Sequence, residues 1–290
     1  MNSLTDRLVS LMIGSAAALV AAVLGWVLLD ILYRGIGDLS WEFLAQPPED
    51  AGRSGGIAPI IVSTMLILMV ALIAAVPLSL SAAAALAQQR HRRFGWAWIA
   101  SRCLDVLAAV PSVVFGLFGN AFFCVALGMG YSILAGGLTL ACMILPILIH
   151  TTEHGLRAVP ADYHYAAASL GLSRTTTFFR ITLPAALPAI AAGLVLGIGR
   201  ALAETAALIF TAGYVTRQPE SLMGSGRSMS VHIFDMAMNV PAGDGRANAT
   251  AALLVAMLLI INAAAMSLAS KASAKLSGQT AEDMNSRQYV

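Results

Sequence analysis

The chain has 290 residues, 58% of them hydrophobic and only 11% charged, against roughly 25% charged in soluble domains, with a formal net charge of +2. This composition places it in a bilayer and excludes an ordinary soluble domain, and without a basic block no nucleic-acid partner is expected. Cys103, Cys124 and Cys142 lie in apolar stretches without CxxC spacing, so they read as small buried hydrophobes with no redox or metal role.

The first apolar run, Leu8–Tyr33, is longer than the ~7–15 residues of a signal core, and its polar head sets Asp6 against Arg7. It reads as a retained transmembrane helix. Five further stretches supply the roughly 20 apolar residues that span a bilayer: Ile57–Ala87, Ala97–Leu127, Ser132–His150, Ala185–Tyr214 and Ala247–Ala269. The expected class is an all-α membrane protein with about six transmembrane helices. Between the spans lie Gly35–Gly56 with its Pro-Pro-Glu-Asp cluster, a basic turn at Gln88–Arg93, the charge-dense Thr151–Leu183, and Val215–Arg246, rich in Gly and Met. Lys and Arg fall about two to one on the side of the N-terminus, which predicts both termini in the cytoplasm. Pro77, Pro111, Pro146 and Pro188 each remove a backbone hydrogen bond and are expected to kink their spans.

Three local patterns bear on function. In Tyr165–Ile190, Asp162 just upstream can cap a short helix ending near Leu170, Gly171 can supply a left-handed stop, and Ser173 can cap a second turn. The helix would carry a small face of Ala166, Ala167 and Ser169. His150-Thr-Thr-Glu153-His154 spells H-x-x-E-H, a zinc-protease signature, but no third ligand is evident among His91, His164 and His232. No metal site is expected. Finally, Arg200 and Glu204 stand one helical turn apart in GIGRALAETAALIF, deep in an apolar stretch; such charges face a bundle interior or a wet cavity, and are expected to pair. Pro111 and Ser112 interrupt the third stretch, and a broken helix can aim free N–H groups at an anion. Arg200, Glu204, Thr205 and Ser112 are the candidate substrate-path residues.

The loop YAAASLGLSRTTTFFRITLP resembles the EAA loop of bacterial ABC importer permeases, with Ala166, Ala167, Gly171, Ile181, Leu183 and Pro184 in register and Tyr165 where the pattern has Glu. In that family the loop couples the membrane helices to an ATPase. GGIAPIIVSTMLIL, VPSVVFGLFG, TTEHGLRAVP, LPAALPAI and GIGRALAETA are similar to the permease subunits of phosphate importers, PstA type rather than PstC type. The resemblance implies a small-importer, MetI-like permease fold: an N-terminal helix and periplasmic loop (1–54), a permease core (55–270) with the coupling loop at 161–184, and a cytoplasmic tail (271–290). It implies a PstC-type permease partner, a PstB-type ATPase dimer and a PstS-type periplasmic phosphate-binding protein, all around a subunit embedded in membrane lipid. No GxxxxGK[ST] occurs, so ATP and Mg are expected on the partner, with no cofactor and no catalysis in this chain. The alternatives are another oxyanion (phosphonate, sulfate or molybdate) and, more remotely, an ion-coupled secondary transporter or an intramembrane zinc protease.

Overall fold

The computed structural model describes residues 3–88 and 95–287; beyond Gln88, the expected basic turn lies outside them. Among the described residues, five helical spans are long and apolar enough to cross a membrane: Leu8–Asp38, Ala58–Gln88, Ile133–Ala158, Arg174–Ala203 and Asp244–Leu268. A sixth is a pair of helices, Trp96–Ala109 and Ser112–Ala126, bent by 101°. The all-α class with about six spans is therefore observed. Two of the expected stretches are not single helices, however, and the fourth runs two turns beyond His150.

Two compact units divide the chain. The first joins residues 1–58 to 232–255. It contains α1 (Ser3–Gly35), the short α2 (Trp41–Ala45), and a two-residue antiparallel ladder of β1 (Pro48–Glu49) with β2 (Ser54–Gly55), Pro48 opposite Gly55. The Pro-Pro-Glu-Asp cluster makes the turn, which carries Asp50, Ala51 and Gly52 at positive φ. Phe43 is its buried anchor: Ile57 N donates to the Phe43 carbonyl (2.8 Å), and the Arg246 guanidinium lies 5.2 Å over the ring while donating to Gly55 O.

The second unit joins residues 59–231 to 256–290. It holds α3 (Ala58–Gln88), α4 (Trp96–Ala109), α5 (Ser112–Gly119), α6 (Ile133–Ala158), α7 (Ala161–Ser169), α8 (Arg174–Thr177), α9 (Leu183–Ala203), α10 (Ala206–Thr211), the first residues of α11 (Met229–Met238), and the second part of α12 (Asp244–Arg287). Helices in lipid gain little from the hydrophobic effect, so they associate through close packing at small residues. The central pair obeys this rule. Gly155 lies against Ala189, Gly193 against Thr151 and Gly197 against Leu148, so α6 and α9 run antiparallel in contact. Gly137 admits Val70 of α3 to the other side of α6. Ile60, Ile67, Leu140, Ile144 and Leu208 are fully enclosed there.

Of the four prolines, only Pro111 ends a helix; α3, α6 and α9 continue through Pro77, Pro146 and Pro188. The cysteines differ from expectation in one case. Cys124 is buried and Cys142 half-buried, but Cys103 is exposed on α4.

Candidate translocation path and coupling surface

The third stretch breaks because Pro111 has no N–H to give and disfavours a helical residue before it. Val110 (φ −66°, ψ 130°) and Pro111 (φ −60°, ψ 143°) are both extended, and the chain turns sharply into α5. Pro111 provides no side-chain cap, so the first amides of α5, at half-buried Ser112, face the break uncapped. A π-helical turn, Asn120–Ala126, completes this half-span.

The fifth stretch breaks without a proline. Glu204 (φ −75°, ψ 124°) leaves the helix after Ala203, and α10 restarts at Ala206. The polar groups freed here are satisfied from within, as the membrane demands. Glu204 Oε1 accepts from Ala207 N (3.1 Å) and Glu204 O accepts from Ser230 Oγ (2.6 Å). Thr205, half-buried, sits at the break.

This geometry corrects the expected Arg200–Glu204 pair. An i, i+4 pairing needs a continuous helix, and α9 stops one residue too early. The Glu204 carboxylate turns instead to the start of α10, where a negative charge opposes the helix dipole. Arg200, in the last turn of α9 and half-buried, makes no ion pair or hydrogen bond among the described residues.

The two breaks stand side by side. A Cβ on Gly116 would lie 2.9 Å from Ala207 Cα, one on Gly119 would meet Thr211, and Asn120 Nδ2 donates to Phe210 O at 2.8 Å. Residue numbers rise together along the contact, so α5 and α10 are parallel and their N-termini point the same way. Behind them, Gly136 of α6 receives Ala212, and Ser132 N donates to Thr211 O. Ser112, Glu204, Thr205 and Arg200 thus gather at one end of a packed pair of half-helices.

Beyond the span, α6 leads through extended Val159 and Pro160 into α7, and Gly171 closes it at φ +69°. Leu172 N donates to Ala167 O and Gly171 N to Ala168 O, the paired bonds of a Schellman stop. Ser173 caps α8 as expected, its Oγ accepting from Thr176 N (3.1 Å). Asp162 does not cap α7: Pro160 holds the N-cap position, and exposed Asp162 lies within the first turn. The small face is split as well. Ala167 is buried against the protein, whereas Ala166 stays exposed beside Tyr163, Tyr165 and Leu170, the last two 70% and 74% exposed. Ile181 and Leu183 are half-buried and Pro184 buried where the chain re-enters the bundle.

Residues 75–277 match the family described as the inner membrane component of binding-protein-dependent transport systems. The chain belongs to this family. It is a permease subunit of an ABC importer, a multi-pass inner-membrane protein and not an enzyme, since the ATPase is a separate subunit. It is 31% identical to the probable ABC transporter permease protein YqgI of Bacillus subtilis, over 91% of this chain and 95% of that one. It is 32% identical to the phosphate transport system permease protein PstA of Yersinia pestis, over 81% of this chain and 79% of that one. The PstA-type resemblance is borne out at this level. In fold it is similar to the inward-facing MetNI methionine ABC transporter (TM-score 0.57, 15% identity, 74% of this chain and 96% of that one), in accord with the MetI-like architecture. Secondary transport and proteolysis are set aside by the family.

The permease also pairs charges in ways not foreseen from the sequence. Glu153, side chain 6% exposed, pairs with Arg157 at 2.6 Å, and Arg157 reaches across to the Leu86 carbonyl of α3 (3.3 Å), which ties α6 to α3. Asp105 of α4 bridges Arg102 (3.2 Å) and His150 (3.4 Å). His150 and Glu153 of the H-x-x-E-H run are therefore engaged with protein groups, and among the described residues no three His, Cys, Asp or Glu side chains converge. The i, i+4 spacing of Glu153 and Arg157 was the available signal; the reach to Leu86 was not visible.

Proposed function

We propose that this permease carries inorganic phosphate inward, as one half of the path of an ATP-driven importer with both termini in the cytoplasm. The observation that carries the reading is Arg200. A guanidinium without a partner in a membrane span is costly unless it faces a wet cavity, and its planar fork matches a tetrahedral oxyanion with two parallel hydrogen bonds. Relatives named as phosphate permeases support the choice of anion.

Glu204 gives the site its weakness. By neutralising the start of α10 it withholds that dipole from the anion, which Arg200 and the open N-terminus of α5 alone would hold. A path must release what it binds. The α5–α10 pair, joined by Asn120 and by close contacts at Gly116 and Gly119, is the body that moves, with Val110–Pro111 and Glu204–Thr205 as its two hinges. A PstB-type ATPase dimer, binding ATP and Mg, presses on Tyr165, Ala166 and Gly171 of the coupling loop. A PstC-type subunit lines the other half, and a PstS-type protein delivers phosphate from the periplasm.

Uptake of labelled phosphate by the reconstituted importer tests this. Excess unlabelled phosphate should suppress uptake while sulfate, molybdate and phosphonate leave it intact. Competition by one of those three instead assigns the path to that oxyanion.

A further inference from the structure

A large opening in the second unit lies away from the path. It is a groove of about 550 Å³ between α9 (Leu187, Ile190, Leu194) and α12 (Ile261, Ala264, Leu268), lined by apolar side chains. Gly199 approaches Leu258 higher up, so α9 and this part of α12 run antiparallel, and Leu187 and Leu268 mark the same end of the groove. In sequence the apolar run of α12 gives way just beyond, at Ser270 and Lys271.

Two cations stand past that end. Lys271 follows Leu268 by three residues, ~4.5 Å along a helix, and Arg180 precedes Leu187 by seven, ~10 Å. Both are exposed, and neither makes an ion pair among the described residues. No Asp or Glu occurs between Asp162 and Glu204, or between Asp244 and Glu282, to neutralise them from within their own segments. Long cationic side chains at a span end reach into the headgroup layer.

We propose that this groove is a binding site for an anionic phospholipid, an acyl chain lying between α9 and α12 and the headgroup phosphate held by Arg180 and Lys271. The charge past its end decides the occupant. Two exposed cations, with no acidic residue in their own segments, stand at the level of a headgroup phosphate, and the apolar walls beside them take an acyl chain. An apolar gap of this size between spans forfeits contact on both walls unless it is filled. A bound lipid there supports the spacing of α12 from α9.

The test uses the assembled importer in phosphatidylcholine vesicles doped with phosphatidylglycerol or with extra phosphatidylcholine, each carrying a photoreactive group on the acyl chain. Adducts are mapped by mass spectrometry. At equal mole fraction, phosphatidylglycerol should label the α9 and α12 groove peptides roughly tenfold more than phosphatidylcholine, within what two surface cations contribute. Arg180→Gln/Lys271→Gln, changes confined to exposed positions, should bring the two lipids to parity. Equal labelling in the unaltered complex would make the groove an ordinary lipid-facing surface and overturn the proposal. So would labelling by neither lipid, which means protein covers it, or a preference that survives the double substitution.

Discussion

Replacing Arg200 and Glu204 separately gives opposite outcomes if the break at Glu204 is as described. Glu204→Leu removes the carboxylate that caps α10; losing an N-cap costs ~0.5–2 kcal/mol, and the Ala207 amide, in a buried residue, adds about 1–3 kcal/mol if left without an acceptor. Glu204→Gln keeps an acceptor oxygen and should retain most of that stability. Arg200→Leu removes a cation that no carboxylate compensates, and on insertion scales a charge at the centre of a span costs about 2.5–3.5 kcal/mol. The purified complex should therefore be unchanged or more stable with the Arg200→Leu substitution, while phosphate uptake in vesicles falls to background. The double substitution should show the sum of the two effects, with little coupling energy between them. Thermal denaturation of all four complexes, with uptake measured in parallel, completes the cycle. Were the residues paired, Arg200→Leu would orphan a buried carboxylate at a cost of about 3–5 kcal/mol, and the double substitution would recover it. That pattern would refute the geometry of the break.

At Gly171 a Cβ would meet open space, so the whole cost of Gly171→Val is backbone strain at φ +69°, about 1–2 kcal/mol or more for a β-branched residue; substrate-stimulated ATP turnover should drop sharply, and Gly171→Asn should be milder. Transport at the normal rate by the Val variant would remove the coupling role from this loop. Ser112→Cys should react with a small aqueous thiol reagent in at least one nucleotide state, and protection in every state would place Ser112 outside the path. Arg157→Leu should destabilise the complex by on the order of 2 kcal/mol, below the ~3–5 kcal/mol of a fully enclosed pair because Arg157 is 40% exposed, and adding Glu153→Gln should recover part of the loss, as read by thermal denaturation.

The spans were legible because crossing a bilayer imposes a length and a composition that few other structures share. The coupling loop was equally legible, since a left-handed Gly171 and a capping Ser173 are local demands that act within a few residues. Asp162 misled for a related reason: it is a good cap by type, but Pro160 two residues earlier already starts α7. The breaks were harder. Apolar periodicity continues through them; Pro111 with Ser112 reads as an interruption, although by type it matches the three prolines that α3, α6 and α9 absorb, and nothing in Ala203-Glu204-Thr205 announces a stop. Assuming a continuous helix there produced the Arg200–Glu204 pair. The bond from Arg157 to Leu86 joins residues 71 apart, and such contacts follow from the packed bundle rather than from any local pattern.

The bond from Asn120 to Phe210 spans 90 residues, and that separation has a consequence for biogenesis. At ~5–20 residues per second, the ribosome needs roughly 5–20 s to deliver Phe210 after Asn120 has emerged. Through that interval a primary amide, with the open groove left by Gly116 and Gly119, must wait at the insertion machinery or among lipids without its partner. The half-span that begins at Ser112 thus reaches its final state only when α10 arrives, and until then its unpaired amide and open groove expose the nascent permease to quality-control proteolysis.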